Sequence, residues 1–237
     1  MTTTVQTPIQ NALVIGASRG LGEALVEAYA GRGAHVVATV RDDHPSPLLD
    51  FAARHRASVE VERVDITDRA QLAALHHRLS GRVFDLLFVV AGVSLADRDA
   101  VGVDIADEDF DRMMRTNVLG VMRTVETLQD LVAPTGTIAV MSSGQGSVAD
   151  NTRGGFEVYR ATKSALNQMF RSYAVRHRDE GRALLLMAPG WVRTDMGGPG
   201  AALDINESIP PLVDTVDAQH GVPGLRYLDR HGRAVNW

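Results

Sequence analysis

The stretch LVIGASRGLGEALV, residues 13–26, sets Gly16, Gly20 and Gly22 between an apolar run and an amphipathic one. The continuous apolarity before the glycines predicts a strand covered on both faces. The segment GEALVEAYAGRG (22–33) has the 3.6-residue pattern of a helix that ends in glycine. Glycines at such a junction let the backbone approach a pyrophosphate, and the exposed N–H groups and dipole of the helix start favour its negative charge. The spacing is G-x-x-x-G-x-G rather than the common G-x-G-x-x-G. Turn glycines with no ligand would look similar, so the nucleotide reading rests on the strand before and the helix after.

Working outward, apolar runs rich in Val, Leu and Ile recur as NALVIGA (11–17), HVVATV (35–40), SVEVERV (58–64), FDLLFVV (84–90), GTIAVMS (136–142) and RALLLMA (182–188). Strands of that kind belong to a parallel sheet buried on both faces, and helical patterns between them give an α/β doubly wound fold. DRAQLAALHHRLSG (68–81) opens with Asp68 and Gln71 placed as a capping box. Residues 107–131 and 157–178 are long enough for helices of several turns, which could also build a dimer face. No repeat, low-complexity tract or linker divides the chain, so a single domain spanning 1–237 is expected. The irregular part is GWVRTDMGGPGAALDINESIPP (190–211), rich in Gly and Pro, which reads as a lid or binding loop.

The 237 residues are 45% hydrophobic and 22% charged, enough to bury a core without disulfides, and there is no cysteine to form one. A net charge of −5 with no basic cluster argues against a nucleic-acid partner. MTTTVQTPIQ (1–10) lacks a basic region followed by an apolar core, and no apolar run reaches the roughly 20 residues of a membrane span. A cytoplasmic location is the resulting expectation. The histidines are scattered, and His76-His77 lack the spacing and third ligand of a zinc site, so no metal is expected.

FEVYRATKSALNQMF (156–170) carries the chemistry. Tyr159 and Lys163 fall one helical turn apart, with Ala161, Ala165, Leu166 and Met169 at apolar positions. An ordinary surface pair is one reading and a proton-transfer site the other. Ser142 and Ser143 end the strand before this helix and compete for one role.

These segments resemble, in order, the motifs of the short-chain dehydrogenases/reductases. They are GASRGLG (16–22), VDITD around Asp65, AGV (91–93), TNVLG (116–120), MSSGQGS (141–147), YRATK (159–163) and PGWVRTDM (189–196). The likeness covers nearly the whole chain. The interval ADNTRGG (149–155), PGWVRTDMGG and Trp237 are most similar to the C-factor branch of carbonyl reductases. The resemblance implies one Rossmann-like domain with a mostly parallel seven-stranded sheet flanked by helices and LRYLD (225–229) as its last strand.

It also implies roles. Hydride transfer to a carbonyl carbon leaves an alkoxide that needs a proton and a polarising donor. Tyr159 would be the acid and Ser143, by strand register, the donor. Asn117 would complete a proton path, although an Asn merely satisfying backbone reads the same. Bringing a Tyr from pH ~10 to neutrality requires roughly 4 kcal/mol, and one cation about 4 Å away at moderate dielectric supplies about that. Lys163 would be that cation.

For the cofactor, Gly16, Ser18, Arg19, Gly20, Leu21 and Gly22 would cradle the pyrophosphate. Asp65 and Ile66 would meet the adenine, though an Asp there is often only a turn former. Ala91 and Gly92 would pass under the adenosine ribose, Tyr159, Lys163, Pro189 and Gly190 would line the nicotinamide side, and Val192 and Thr194 would meet the carboxamide or the pyrophosphate. Val40 stands where NAD-preferring members have an acid, Arg41 follows it and Arg19 could approach from the other side, so two arginines favour NADP(H) over NAD(H) unless Arg41 only pairs with Asp42 or Asp43. The substrate wall would comprise Val93, Ser94, Ser143, Gln145, Tyr159 and Trp191. Val89-Val90 replace the family's paired asparagines and remove polar ties beside Ala91.

The leading expectation is an NADP(H)-dependent aldehyde or ketone reductase acting on a small-molecule carbonyl or alcohol, as a homodimer or homotetramer or as single chains. An NADP-binding signalling or regulatory protein with little turnover is the alternative. An isomerase or dehydratase would need a further acid or base, and the sequence points to none.

Overall fold

The computed structural model describes residues 8–237, and residues 1–7 of the MTTTVQTPIQ segment lie outside it. Among the described residues the strands are β1 (Asn11–Ile15), β2 (His35–Val40), β3 (Val59–Arg63), β4 (Phe84–Val89), β5 (Val132–Met141), β6 (Ala183–Ala188) and β7 (Gly224–Asp229). They form a seven-stranded sheet in the order β3-β2-β1-β4-β5-β6-β7. Every neighbouring pair is parallel.

The inner strands are apolar on both sides because both faces are covered, while the edge strand β3 alternates Val with Glu. Helices α1 (Gly20–Gly31), α2 (Pro47–Arg54) and α7 (Ile205–Gln219) cover one face with Leu25, Val26, Tyr29, Leu48, Ile209 and Leu212. Helices α3 (Arg69–Leu79), α5 (Val121–Leu128) and α6 (Glu157–Arg176) cover the other with Leu72, Leu75, Val125, Leu166 and Phe170. Strand order reverses between β1 and β4, and a crevice opens beyond the carboxyl ends of strands at such a point. No described helix is long and apolar enough to cross a membrane.

The long helix expected over 107–131 is continuous but not uniform. It runs as α4 (Asp107–Met114), a widened π-type turn from Arg115 to Gly120, α5, and a tight turn at Gln129–Leu131. The capping box at α3 is half formed: Asp68 accepts from the Ala70 and Gln71 N–H groups. Gln71 does not return to the Asp68 backbone; its Oε1 accepts from the Asp65 N–H at 2.8 Å, tying β3's exit to α3.

The irregular segment is shorter than 190–211. Helix α7 begins at Ile205, where Asp204 and Glu207 make a full capping box, and it carries Pro210 and Pro211 inside. Residues 190–204 are folded on themselves, with a parallel bridge between Val192 and Leu203 and the Trp191 indole N–H donating to the Gly197 carbonyl at 2.8 Å.

Candidate active site

The glycine turn is built by backbone geometry. Gly16 has φ +87°, and a Cβ there would lie 2.7 Å from the Ala91 Cα. Only glycine lets the turn lie against the β4 exit in this way. A Cβ on Gly22 would stand 2.2 Å from the Gly16 carbonyl, so α1 starts packed directly on the turn. Arg19, at the α1 N-cap, supplies no side-chain cap, which leaves the helix start able to receive an anion. A tight glycine turn packed on an uncapped helix start fits a dinucleotide pyrophosphate.

Thr39 was not singled out from the sequence, because a Thr in HVVATV reads as an ordinary strand residue. Its buried hydroxyl accepts from the Gly16 N–H at 3.0 Å, and its carbonyl accepts from the Ala17 N–H at 2.8 Å. Ser18 and Leu21 are half-buried beside this turn.

Across the cleft, Gly20 (φ +63°) faces Thr194, whose Cγ2 would lie 3.5 Å from a Cβ on that glycine. Arg19 reaches Asp195 at 3.2 Å, although both side chains are more than two-thirds exposed. The loop after β6 therefore closes on the glycine turn. Pro189 starts that loop and accepts from the buried Ser208 hydroxyl of α7 at 2.8 Å. Gly190 turns at φ +92°, Val192 is buried, and the Thr194 hydroxyl accepts from the Gly197 N–H at 3.1 Å.

Val89 and Val90 do not unsettle the β4 exit. Val89 is packed in the core, and the Val90 and Ala91 N–H groups both donate to the Ile15 carbonyl, at 2.9 and 3.0 Å. The next tie comes from Asn117, which is fully buried on the widened turn. Its amide accepts from the Val93 N–H and donates to the Val93 carbonyl, each at 2.7 Å, and also donates to the Thr162 hydroxyl of α6 at 3.1 Å. The wide turn is what presents this side chain inward between β4 and α6. Val93 and Ser94 follow at the rim, half-buried.

Gly92 brings the groups together. A Cβ there would lie 3.3 Å from the Asn117 Oδ1 and 3.7 Å from the Lys163 Nζ. Lys163 is 3% exposed, its Nζ donates to the Met141 carbonyl at 2.9 Å, and it sits 5.7 Å from the centre of the Tyr159 ring. Tyr159, half-buried, has the Ser143 hydroxyl as a neighbour of its phenol.

The two serines separate cleanly. Ser142 is buried and donates to the Asn167 Oδ1 at 2.6 Å, away from the cleft, while Ser143 faces Tyr159.

One expectation needs correction. Burial pushes the Tyr159 phenol up to about 12, with the neighbouring Ser143 hydroxyl pulling the other way. Burial also lowers the Lys163 ammonium to about 8. Lys163 alone does not bring the phenol near neutrality, because the amine lies beneath the ring and is bonded to Met141, not to the hydroxyl. Desolvation disfavours both charged forms at once.

The remaining candidates are more loosely held. The Asp65 Oδ1 accepts from the Thr67 N–H at 2.8 Å and the Thr67 hydroxyl at 2.7 Å, so the carboxylate forms a turn, and Ile66 packs against Gly120. Arg41 is exposed and stands 3.4 Å from Asp42, while Arg63, opposite Val40 in register, pairs with Asp43. Trp191 stacks its ring near the Arg98 guanidinium at 5.6 Å. Gln145 lines a depression with Val148, Asn151, Gly154, Arg160 and Ser164, whose walls do not include Ser143 or Tyr159. No cluster of three or more metal-ligating side chains occurs among the described residues.

Residues 10–202 match the family described as short chain dehydrogenase. The chain belongs to that family. Among solved structures, a protein from Burkholderia multivorans described as a short-chain dehydrogenase/reductase, with bound NADP, is 49% identical over 97% of this chain and 100% of its own, and superposes with a TM-score of 0.95. A carbonyl reductase from Pseudomonas aeruginosa PAO1 in complex with NADP is 33% identical over 97% of this chain and 100% of its own, with a TM-score of 0.88. The C-signal of Myxococcus xanthus is 35% identical over 158 residues, 65% of this chain and 92% of its own length. This short-chain dehydrogenase therefore has C-factor and carbonyl reductase relatives, as its motifs suggested, and the all-parallel sheet is the fold of its solved neighbours.

Proposed function

We propose that this short-chain dehydrogenase transfers a hydride between NADP(H) and an aldehyde, ketone or corresponding alcohol. The observation that carries the reading is the cluster of Ser143, Tyr159 and Lys163 behind Gly92, on the same crevice as the glycine turn. When bound, the dinucleotide supplies the hydride.

The chain's own residues do the rest. Tyr159, kept protonated by burial, donates its proton to the carbonyl oxygen as charge develops there. Ser143 holds the phenol and offers the same oxygen a second donor. Lys163, when protonated, stabilises the phenolate left after transfer, an interaction worth more in a partly dry cleft than in water. Asn117 fixes the distance between the β4 exit and α6, and so the spacing of Gly92 and Lys163. Gly16 and Gly22 admit the pyrophosphate, and residues 190–204 form the lid.

The preference for the phosphorylated cofactor rests on Arg41 and Arg19 at the mouth, with Val40 offering no acid to the ribose hydroxyls. The NADP bound to the Burkholderia and Pseudomonas neighbours supports it. A second reading, a nucleotide-binding signalling protein with little turnover, draws on the likeness to the C-signal.

The test is NADPH oxidation across a panel of aldehydes and ketones, with wild type and Tyr159→Phe compared. Turnover by wild type that falls about 10²-fold or more in the variant is expected. Equal turnover by both would defeat the proposal, and tight NADPH binding without turnover on any carbonyl would favour the second reading.

A further inference from the structure

The mechanism leaves unexplained how Ser143 is aimed. It lies on the first residues of an excursion between β5 and α6, where only a short turn at Gly144–Gly146 is regular. The Ser143 Oγ already accepts from the Gln145 N–H at 3.1 Å. Its carbonyl is held from the far side of the sheet edge by a residue outside the family motifs quoted above. Tyr227 of β7 is 3% exposed, and its hydroxyl donates to the Ser143 carbonyl oxygen. The same phenol neighbours Ser142 and Asn167, which are themselves joined, and the Asn167 Nδ2 reaches the Gly146 carbonyl at 3.3 Å. Strand β7 thus holds the Ser143 end of this turn, and α6, through Asn167, holds the Gly146 end.

Tyr227 is in turn held by the residues that follow it. The Asp229 carboxylate accepts from the N–H groups of His231 and Arg233, at 2.9 and 3.0 Å, and turns the chain back. The Val235 N–H then donates to the Tyr227 carbonyl at 2.9 Å. Trp237 meets the Tyr227 ring edge-on at 5.6 Å and lies under the Arg171 guanidinium at 4.6 Å. Beyond the Tyr227 contact, the Trp237 carbonyl accepts from the Ala149 N–H at 3.1 Å, and the Asn236 amide donates to Asp150 at 2.8 Å.

We propose that Tyr227 is a positioning residue for the reaction: through the Ser143 carbonyl it orients the Ser143 hydroxyl toward Tyr159, and Trp237 locks its ring in place. This rests on the role of Ser143 given above. A phenol is suited to the task because one rigid ring spans from β7 to the turn and ends in a single donor. Removing that donor leaves the Ser143 carbonyl held only by the Gly146 N–H of its own turn, at 2.8 Å, and so loosens the aim of Ser143 while leaving the cofactor cleft intact.

The experiment compares Tyr227→Phe with wild type and then repeats the substitution in a Ser143→Ala background, following oxidation of bound NADPH in single turnovers with enzyme in excess. In the otherwise native chain, hydride transfer should slow about fivefold or more, the effect of losing one ordinary hydrogen bond, with NADPH affinity and substrate KM unchanged. In the Ser143→Ala background the substitution should change nothing further, since residues acting through one another are not additive. The same slowing in both backgrounds, or no slowing in either, would overturn the proposal. Trp237→Leu, which keeps the hydroxyl but frees the ring, is the second variant, and it should slow transfer about threefold only when Ser143 is present. An equal loss in both backgrounds, or none, counts against the proposal here too. If Ser143→Ala and Tyr159→Phe both turn over like wild type, it is the reductase reading that falls.

Discussion

The two ends of the cleft are built differently. At the end that holds Tyr159, the critical groups are buried and bonded several times over: Asn117 has three hydrogen bonds, and Lys163 is fixed to the Met141 carbonyl. At the other end, Arg19, Arg41 and Arg63 are exposed, and each stands beside an aspartate. Exposed pairs of that kind contribute little and rearrange easily. Groups that must hold a reacting atom are fixed in advance, whereas groups of the kind proposed for phosphate recognition, Arg19 and Arg41, can wait in water.

That contrast predicts a gradient of effects. Lys163→Met should have the largest, a loss of about 10²–10³ in turnover measured under saturating NADPH and substrate. Its stability effect has the opposite sign. Because the folded chain holds the Lys163 proton only to about pH 8, below its usual value of 10.5, the unfolded chain binds more protons between those values. The burial penalty is therefore full below pH 8 and fades as pH rises. Chemical denaturation should find the Met variant more stable at pH 7 by up to about 3 kcal/mol, less whatever the Met141 carbonyl loses, with the gap closing toward pH ~10. A gap that widens with pH would break the account of this end.

Asn117→Ala comes next. Stranding the Val93 N–H and carbonyl should cost about 2–4 kcal/mol in a denaturant melt and about tenfold in turnover. A variant as stable as wild type would mean that the tie between β4 and α6 is decorative.

Arg41→Ala should be the mildest. The KM for NADPH should rise about fivefold while the KM for NADH stays put, and the difference should shrink as salt is raised. Equal changes for both cofactors would remove Arg41 from phosphate recognition.

Legibility in the sequence follows the same division. The inner strands announced themselves because burial on both faces leaves no polar alternation, and the glycine turn because its φ angles and close contacts exclude other residues. Helix α7 did not, since Pro210 and Pro211 read as breakers while the capping box at Asp204 and Glu207 was hidden in a Gly- and Pro-rich stretch. Thr39 and Tyr227 were illegible for another reason: each acts through one hydrogen bond to a residue far along the chain, and strand patterns give no hint of it. The Tyr159 and Lys163 pairing was visible at one-turn spacing, but its electrostatics were not. Sequence arithmetic set the amine beside the hydroxyl, whereas the side chain turns back to the end of β5.

The central claim is that the buried amine, the phenol and the glycine turn face one bound dinucleotide. A crystal structure with NADP present tests it most directly. The account predicts the pyrophosphate on the turn at Gly16–Gly22 and the nicotinamide ring between Gly92 and Tyr159, with Lys163 within hydrogen-bond reach of the adjoining ribose. Density for the ring outside that cleft, or for the phosphates away from the start of α1, would contradict it.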